Sequence, residues 1–416
     1  MLSFSGLKDK LFYGWVVVIV FLVVGITLYG IAFSFGVFFK SIESTFSLTR
    51  AETSAVSSVN MLLVGVFGFL SGWALDRYGP KIVVLLMGLF AGISLLLTSQ
   101  VNSSWQLFIT YSLLLAMGIG GLYVVPVATV SRWFDKKRGL VLGIAGSGMG
   151  LGVLVMAPLA TYLITNFDWR MAYIVIGLIT WFVVIPLSRL LKKDPREIGA
   201  LPDGVNSPAL GVEHQEDGIQ PLDSSLLQTL RTKNFWLFVF TWLFFAFSLL
   251  LVLTHLVPHV TDIGISAGKA ATILSLMGGA AIAGRVLMGI ASDRIGRKLT
   301  VIVCALLQVV AMLWLIWSQD LWMLYMFALV YGFAYSGFES SVGALIGDTF
   351  GLIKIGTIFG MLEFGFAIGA AIGPVVGGVI FDVNNNYSLA FLIGAVAMLI
   401  TALLIVLVRQ KTVRNL

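Results

Sequence analysis

The sequence is poor in the residues from which soluble catalytic sites are built. Its 416 residues include one cysteine and three histidines. The lone cysteine, Cys304, excludes an intramolecular disulfide. His255 and His259 share a helix face at i, i+4, but no further ligands accompany them, so no metal site is expected. Charge is scarce as well: Asp, Glu, Lys and Arg make up only 11% of the chain. There is no Walker-type phosphate loop to drive the protein with ATP, no HExxH and no large polar domain, so neither an enzyme nor a cofactor is expected. What is abundant is apolar surface. Hydrophobic residues reach 59% and mean hydropathy is +1.00, more than a soluble protein of this size could bury.

The apolar residues fall into twelve stretches, each long enough to cross a bilayer as a helix. They lie near 13–39, 53–75, 81–101, 105–131, 139–166, 170–188, 235–261, 267–291, 299–318, 321–347, 356–381 and 387–408. Backbone groups in lipid must bond within their own segment, so the spans are helices and the fold class is all-α membrane protein. Lys8 and Lys10 precede the first run, but it is too long for a signal peptide and reads as an uncleaved helix. Numbering the loops alternately places 21 of the 26 Lys and Arg residues on the side of both termini; Lys40, Arg50, Arg170 and Lys269 lie opposite, and Arg285 lies inside a span. Basic loops stay in the cytoplasm, so both termini are expected there, in a multi-pass protein of the inner (plasma) membrane. This distribution explains the pI of about 9.3 without any nucleic-acid partner. The lipid bilayer is the expected surrounding, and a monomer the expected functional unit.

The polar stretch 192–233 separates a first six-helix bundle, 1–191, from a second, 234–416. Its end, Ser224 to Arg231, suits either a surface amphipathic helix or a solvated loop. The halves share a repeat. Gly72, Asp76, Arg77, Gly79 and Lys81 recur 217 residues later as Gly289, Asp293, Arg294, Gly296 and Lys298. Gly139, Gly143, Gly148 and Gly152 recur at the same offset as Gly356, Gly360, Gly365 and Gly369. Six helices per half preserve orientation, so these are parallel repeats, with a site expected between them near the midplane.

The stretch from Gly72 to Lys81 and its copy from Gly289 to Lys298 resemble the signature loop of the major facilitator superfamily. Within it the chain resembles the monocarboxylate transporter family. Tyr13-Gly14-Trp15-Val16-Val17 is similar to the family's first-helix opening, and Arg132 to Leu140 to its second signature. Asp194 to Gly204 is similar to a segment of the bacterial branch, which includes oxalate–formate exchangers. The resemblance implies a twelve-helix carrier working by alternating access on a small monocarboxylate such as lactate, pyruvate or acetate, with a proton. Anion exchange of the oxalate–formate type is the alternative. A dianion would be better served by a second buried cation, whereas helix 11 offers Glu363.

Arg285 is the only basic residue within a span. A charge there costs roughly 2.5–3.5 kcal/mol by insertion scales. Such a residue is kept when an anionic ligand meets it or when a buried acid neutralises it. The resemblance implies the ligand reading, because family members carry an arginine at this point of helix 8. Animal members also carry an aspartate one turn earlier and a lysine in helix 1, where this chain has Ala281 and Phe33. Tyr123 lies at similar depth, and Tyr331, Tyr335 and Glu339 share a side of helix 10. Asn60, Tyr29 and His255 lie further from the basic side. The expected substrate-binding set is therefore Arg285, Tyr123, Tyr335, Tyr331, His255, Asn60 and Tyr29. Glu339 and Glu363 could each carry a proton or partner loop arginines. Asp76, Arg77, Asp293 and Arg294 sit at helix ends where they could latch and release a gate. Gly146 to Gly150 resembles a dinucleotide loop in spacing but lies within a span with no preceding strand.

Overall fold

The computed structural model describes residues 12–134, 138–204, 229–350 and 355–408. Among these residues, twelve helices are long and apolar enough to span a membrane. They are α1 (Gly14–Phe46), α2 (Arg50–Tyr78), α3 (Pro80–Thr98), α4 (Ser104–Trp133), α5 (Val141–Asn166), α6 (Trp169–Ser188), α7 (Lys233–Asp262), α8 (Ala267–Ile295), α9 (Arg297–Trp317), α10 (Leu321–Phe350), α11 (Met361–Asn384) and α12 (Ser388–Leu407). No strand occurs among the described residues. Most of the connecting stretch 192–233, including its suggested amphipathic helix, lies outside them, as do Asp135, Lys136 and Lys137.

Side chains set the helix boundaries. Thr49 and Glu52 form a reciprocal capping box at the start of α2. Asp168 caps α6 by accepting from the Met171 N–H at 2.6 Å. The repeated loops between α2 and α3 and between α8 and α9 turn on Gly79 and Gly296, whose φ values are +78° and +98°. Only glycine adopts that backbone without strain, which is why both copies of the loop carry one.

Three helices depart from the even spans expected. α1 breaks at Ser34 and continues as Phe35–Phe46, beyond its expected end. α5 breaks at Ser147. α4 contains a π-helical stretch, Phe108–Leu114, and a turn between Ile119 and Val124. The loosened carbonyls of α4 are bonded from neighbours: Asn60 Nδ2 donates to Ser112 O at 3.0 Å and Ser94 Oγ to Thr110 O at 2.6 Å.

Each half packs around its own apolar core. Residues from Val17 to Leu191 form one; Phe235 to Val408, with a few first-half residues such as Met149 and Val153, form the other. Across the interface α2 packs on α11, α5 on α8, and the end of α1 on α7. α5 and α8 meet where a Cβ added to Gly150 would lie 2.7 Å from Gly278 O, so both backbones depend on the missing side chains. Toward the basic face they part, and nothing lies within 4 Å of a Cβ built on Gly143 or Gly289.

Candidate substrate site

Arg285 projects from α8 to the seam between the halves. Its Nη1 donates to Gly146 O, at the break in α5 of the first half, at 3.0 Å. Nε donates to Ser336 Oγ at 3.3 Å, and Nη2 forms an ion pair with Glu339, both on α10. A guanidinium has five N–H groups. With three committed, one N–H on each terminal nitrogen has no partner among the described residues. The Arg285 side chain keeps 20% of its surface open and Glu339 27%.

Around this pair stand Tyr335 on α10, Tyr29 on α1 and Tyr123 on α4, all within electrostatic range of the guanidinium. Tyr123 sits at the turn that resumes α4 and is 39% exposed. Tyr29 stacks on Phe33, with ring centroids 6.0 Å apart. Glu363 on α11 lies within range of Glu339 and of Tyr123. The structure thus brings Arg285, Glu339, Glu363, Tyr335, Tyr29 and Tyr123 into one cluster, drawn from both halves. Arg285 has an acid partner in Glu339 and, among the described residues, two N–H groups without one.

Three expected residues lie elsewhere. Asn60 is buried and committed to the carbonyls of Tyr111 and Ser112, which lie in the π-helical stretch of α4. Tyr331 stacks on Phe327 within the second-half core and donates to Ser248 O at 3.4 Å. His255 is fully buried at the far end of the molecule. Its Nε2 lies 2.7 Å from Pro374 O and its Nδ1 3.1 Å from Tyr387 OH. The carbonyl can only accept, so Nε2 carries the proton and Nδ1 accepts from the tyrosine.

Of the expected gate residues, Asp76 and Asp293 form ion pairs, both inside their own halves. Asp76 accepts from Arg132 at 2.8 Å, Arg77 lies over the rings of Trp73 and Tyr78, and Arg297 spans Asp293 and Asp348 at 3.4 and 2.5 Å. Arg294 is exposed and makes no ion pair among the described residues. The ion pairs that cross between halves lie on the face opposite the termini, where the sequence reading assigned none. Arg50, at the start of α2, has a side chain only 7% exposed and forms a two-pronged bond to Asp262 at the end of α7, at 2.6 and 3.0 Å. It also donates to Tyr387 OH and to Glu43, and its guanidinium carbon lies 3.6 Å from the centre of the Phe381 ring. The backbone N–H groups of Arg50 and Ala51 both donate to Asp382 on α11 at 2.9 Å. Lys40 adds a bond to Asp262 at 2.6 Å. No fixed spacing in the sequence could have revealed this set; its members come from four helices and from Tyr387, just before α12. The Gly264–Gly268 segment has the G-x-S-x-G spacing of a hydrolase nucleophile, but Ser266 holds the N-cap position of α8 and no strand among the described residues leads into it.

Twelve helices in two six-helix halves, sealed at one face and meeting around a charged cluster at the seam, define a membrane carrier. The chain belongs to the Major Facilitator Superfamily, whose sequence profile matches residues 17–289 and 252–415. It is 24% identical to monocarboxylate transporter 12 of Xenopus laevis over 94% of this chain and 88% of that protein. It is 26% identical to monocarboxylate transporter 13 of Bos taurus over 93% and 87%. Among solved structures it resembles a D-xylose–proton symporter, with TM-score 0.77, 16% identity, and 97% of this chain and all of that one covered. A bacterial homologue of the lysosomal transporter Spinster, in an inward-facing, unoccupied conformation, matches with TM-score 0.73 and 16% identity over 95% of both chains. These likenesses establish a transporter, not an enzyme, related to monocarboxylate transporters.

Proposed function

We propose that this protein carries a small monocarboxylate of the lactate, pyruvate or acetate type across the membrane with a proton, by alternating access. One observation carries the reading. The Arg285 side chain, mid-way along α8 and away from the helix ends, stands between the halves with, among the described residues, an N–H free on each terminal nitrogen, donors suited to charge-assisted bonds with a carboxylate. Tyr123 and Tyr29 present the first half's phenols to the same space, and Tyr335 flanks it. Glu339 is the resting counter-ion, and Glu339 and Glu363 are the groups available to take the proton. The relatives' names, as monocarboxylate transporters, support the same substrate class. The basic face is cytoplasmic on this reading, so the described conformation is open inward and closed outward. The two halves, 1–191 and 234–416, rock about the cluster.

Replacing Arg285 with Gln should abolish lactate binding while the protein still inserts and elutes as a folded species. Arg285→Lys should not restore full affinity, since an ammonium lacks the planar fork. Equilibrium binding to the purified variants tests this. Normal lactate binding by Arg285→Gln would end the anion-site reading.

A further inference from the structure

At the basic face a pocket of about 270 Å³ opens between the α2–α3 loop and the segment that follows α6. Its walls include Arg77, Lys81, Lys192 and Lys193, against the single carboxylate of Glu197. None of the four cations has a carboxylate partner among the described residues, and the Asp76 carboxylate is taken by Arg132. Lys193 Nζ donates to the backbone O of Asp76 at 2.6 Å, Lys192 Nζ lies 5.3 Å from the centre of the Tyr13 ring, and Arg77 lies over Trp73 and Tyr78. Lys81 makes no hydrogen bond or ion pair among the described residues. The other half of the repeat differs. Lys298, the copy of Lys81, donates to Val406 O and Val408 O at 2.7 and 2.9 Å, and its neighbour Arg297 bonds Asp293 and Asp348. The second half answers these cations from within the protein. In the first half, four cations against one acid leave an excess of three positive charges at the membrane surface.

A pocket lined by one sign of charge concentrates the opposite sign within it. Gly79 gives α3 no side-chain cap, so the positive end of that helix adds to the field. The walls also select which anion fits. Ile82 lines the pocket, and Leu86, one turn deeper into the span, is exposed on the same side of α3. Tyr78 at the rim and Trp73, packed edge-on against it, are exposed as well, as aromatic rings are where headgroups meet hydrocarbon. The pocket therefore continues into an apolar strip that faces lipid. We propose that it binds an anionic phospholipid of the leaflet at the basic face, with the phosphate among Lys81, Lys192 and Lys193 and the acyl chains along Ile82 and Leu86. Basic pockets between helices on that side of a membrane suit such headgroups. A zwitterionic headgroup carries its own cation beside the phosphate, and the excess positive charge repels it. A soluble phosphate gains the same charges but leaves Ile82 and Leu86 uncovered. Bound there, the lipid ties the α2–α3 loop to the start of the connecting stretch.

The test is native mass spectrometry of the purified full-length protein, titrated with phosphatidylglycerol or phosphatidylcholine of the same acyl chains. Phosphatidylglycerol should bind with roughly tenfold higher affinity or more, and the preference should shrink as ammonium acetate is raised. Lys81→Gln with Lys192→Gln should lower that preference roughly tenfold. Lys81→Gln alone should lower it about three- to fivefold. The Lys81 ammonium bonds nothing among the described residues, so the single variant gives an answer even if the double one misfolds. Lys81→Arg with Lys192→Arg, which keeps both charges, should hold the preference near that of wild type. Glycerol 3-phosphate, which has the phosphate and no acyl chain, should not displace the lipid at equal concentration. Displacement would assign the pocket to a soluble phosphate and overturn the lipid reading. Equal affinity for the two lipids, or a preference unchanged in Lys81→Gln, would overturn it too.

Discussion

The Arg285 guanidinium owes its position to a side chain that is absent. A Cβ at Gly146 would lie 2.6 Å from Arg285 Nη1, so the α5 carbonyl is reachable only because residue 146 is glycine. The repeat offset of 217 pairs Gly146 with Glu363 and Arg285 with Gly68. Each half thus supplies a glycine where the other supplies a charge. The nearest obstacle at Gly146 is the flexible end of a long side chain, so a small substitution displaces the guanidinium before it disturbs the backbone. Gly146→Ala should fold and insert but lose the bond to the α5 carbonyl. A charge-assisted bond is worth about 1.5–3 kcal/mol, so lactate affinity should fall about tenfold or more. Titration of the purified variant against wild type checks this, and equal affinity would show that the carbonyl does not position the arginine.

At the scale of helices, two of the three departures from regular geometry, in α1 and α5, fall on helices that pack across the seam, and the third lies in α4 within the first half. α1, α4 and α5 all break, and α4 brings Tyr123 to the cluster at the end of its turn. α2, α7 and α11 converge on the seal around Arg50, on the face opposite the basic one. That seal includes three bonds to Asp262 from Lys40 and Arg50, one to Tyr387 and two backbone bonds to Asp382. Opening this face breaks all of them, so they act on the closed state alone, and a ligand-free equilibrium follows such differential contacts. Arg50→Ala should raise the population open on that face. Cys304, the only cysteine, is buried, so background labelling by thiol reagents is low. Ser54→Cys, placed beneath the seal against His255, reports the opening. Reaction of that cysteine with an impermeant thiol reagent added from the sealed face should accelerate about tenfold or more when Arg50→Ala is added. Unchanged reactivity would mean that other contacts hold the face shut.

For the whole molecule, the central quantity is the charge that crosses the membrane in each cycle. Ion pairs between the halves occur on one face only among the described residues, while Arg132–Asp76 and Arg297–Asp293 stay within their own halves on the other. The halves can therefore separate at the basic face without breaking these pairs. In proteoliposomes an inward proton gradient should accelerate lactate uptake. An imposed membrane potential should leave the rate unchanged, since an anion with one proton is neutral. Uptake that ignores pH but requires an anion loaded on the opposite side would instead establish exchange.

The sequence alone determined the twelve spans, their division into two parallel halves, the basic face and the singular Arg285. Each follows from a one-dimensional regularity: apolar length against bilayer thickness, a fixed repeat offset, or a lone charge in an apolar run. Tyr29, Tyr123 and Tyr335 were legible as candidates because rise per residue gives depth along a helix. Depth says nothing of which way a side chain faces once helices bend and pack. Asn60 and His255 were placed in the cavity on depth, yet Asn60 serves the irregular stretch of α4 and His255 the seal beside Arg50. The partner of Arg285 and the network around Arg50 were decided by tertiary structure for the same reason. Their members lie as far as 54 and 337 positions apart in the chain, and only packing of separate helices brings such charges within bonding distance, where the low-dielectric interior makes their pairing decisive.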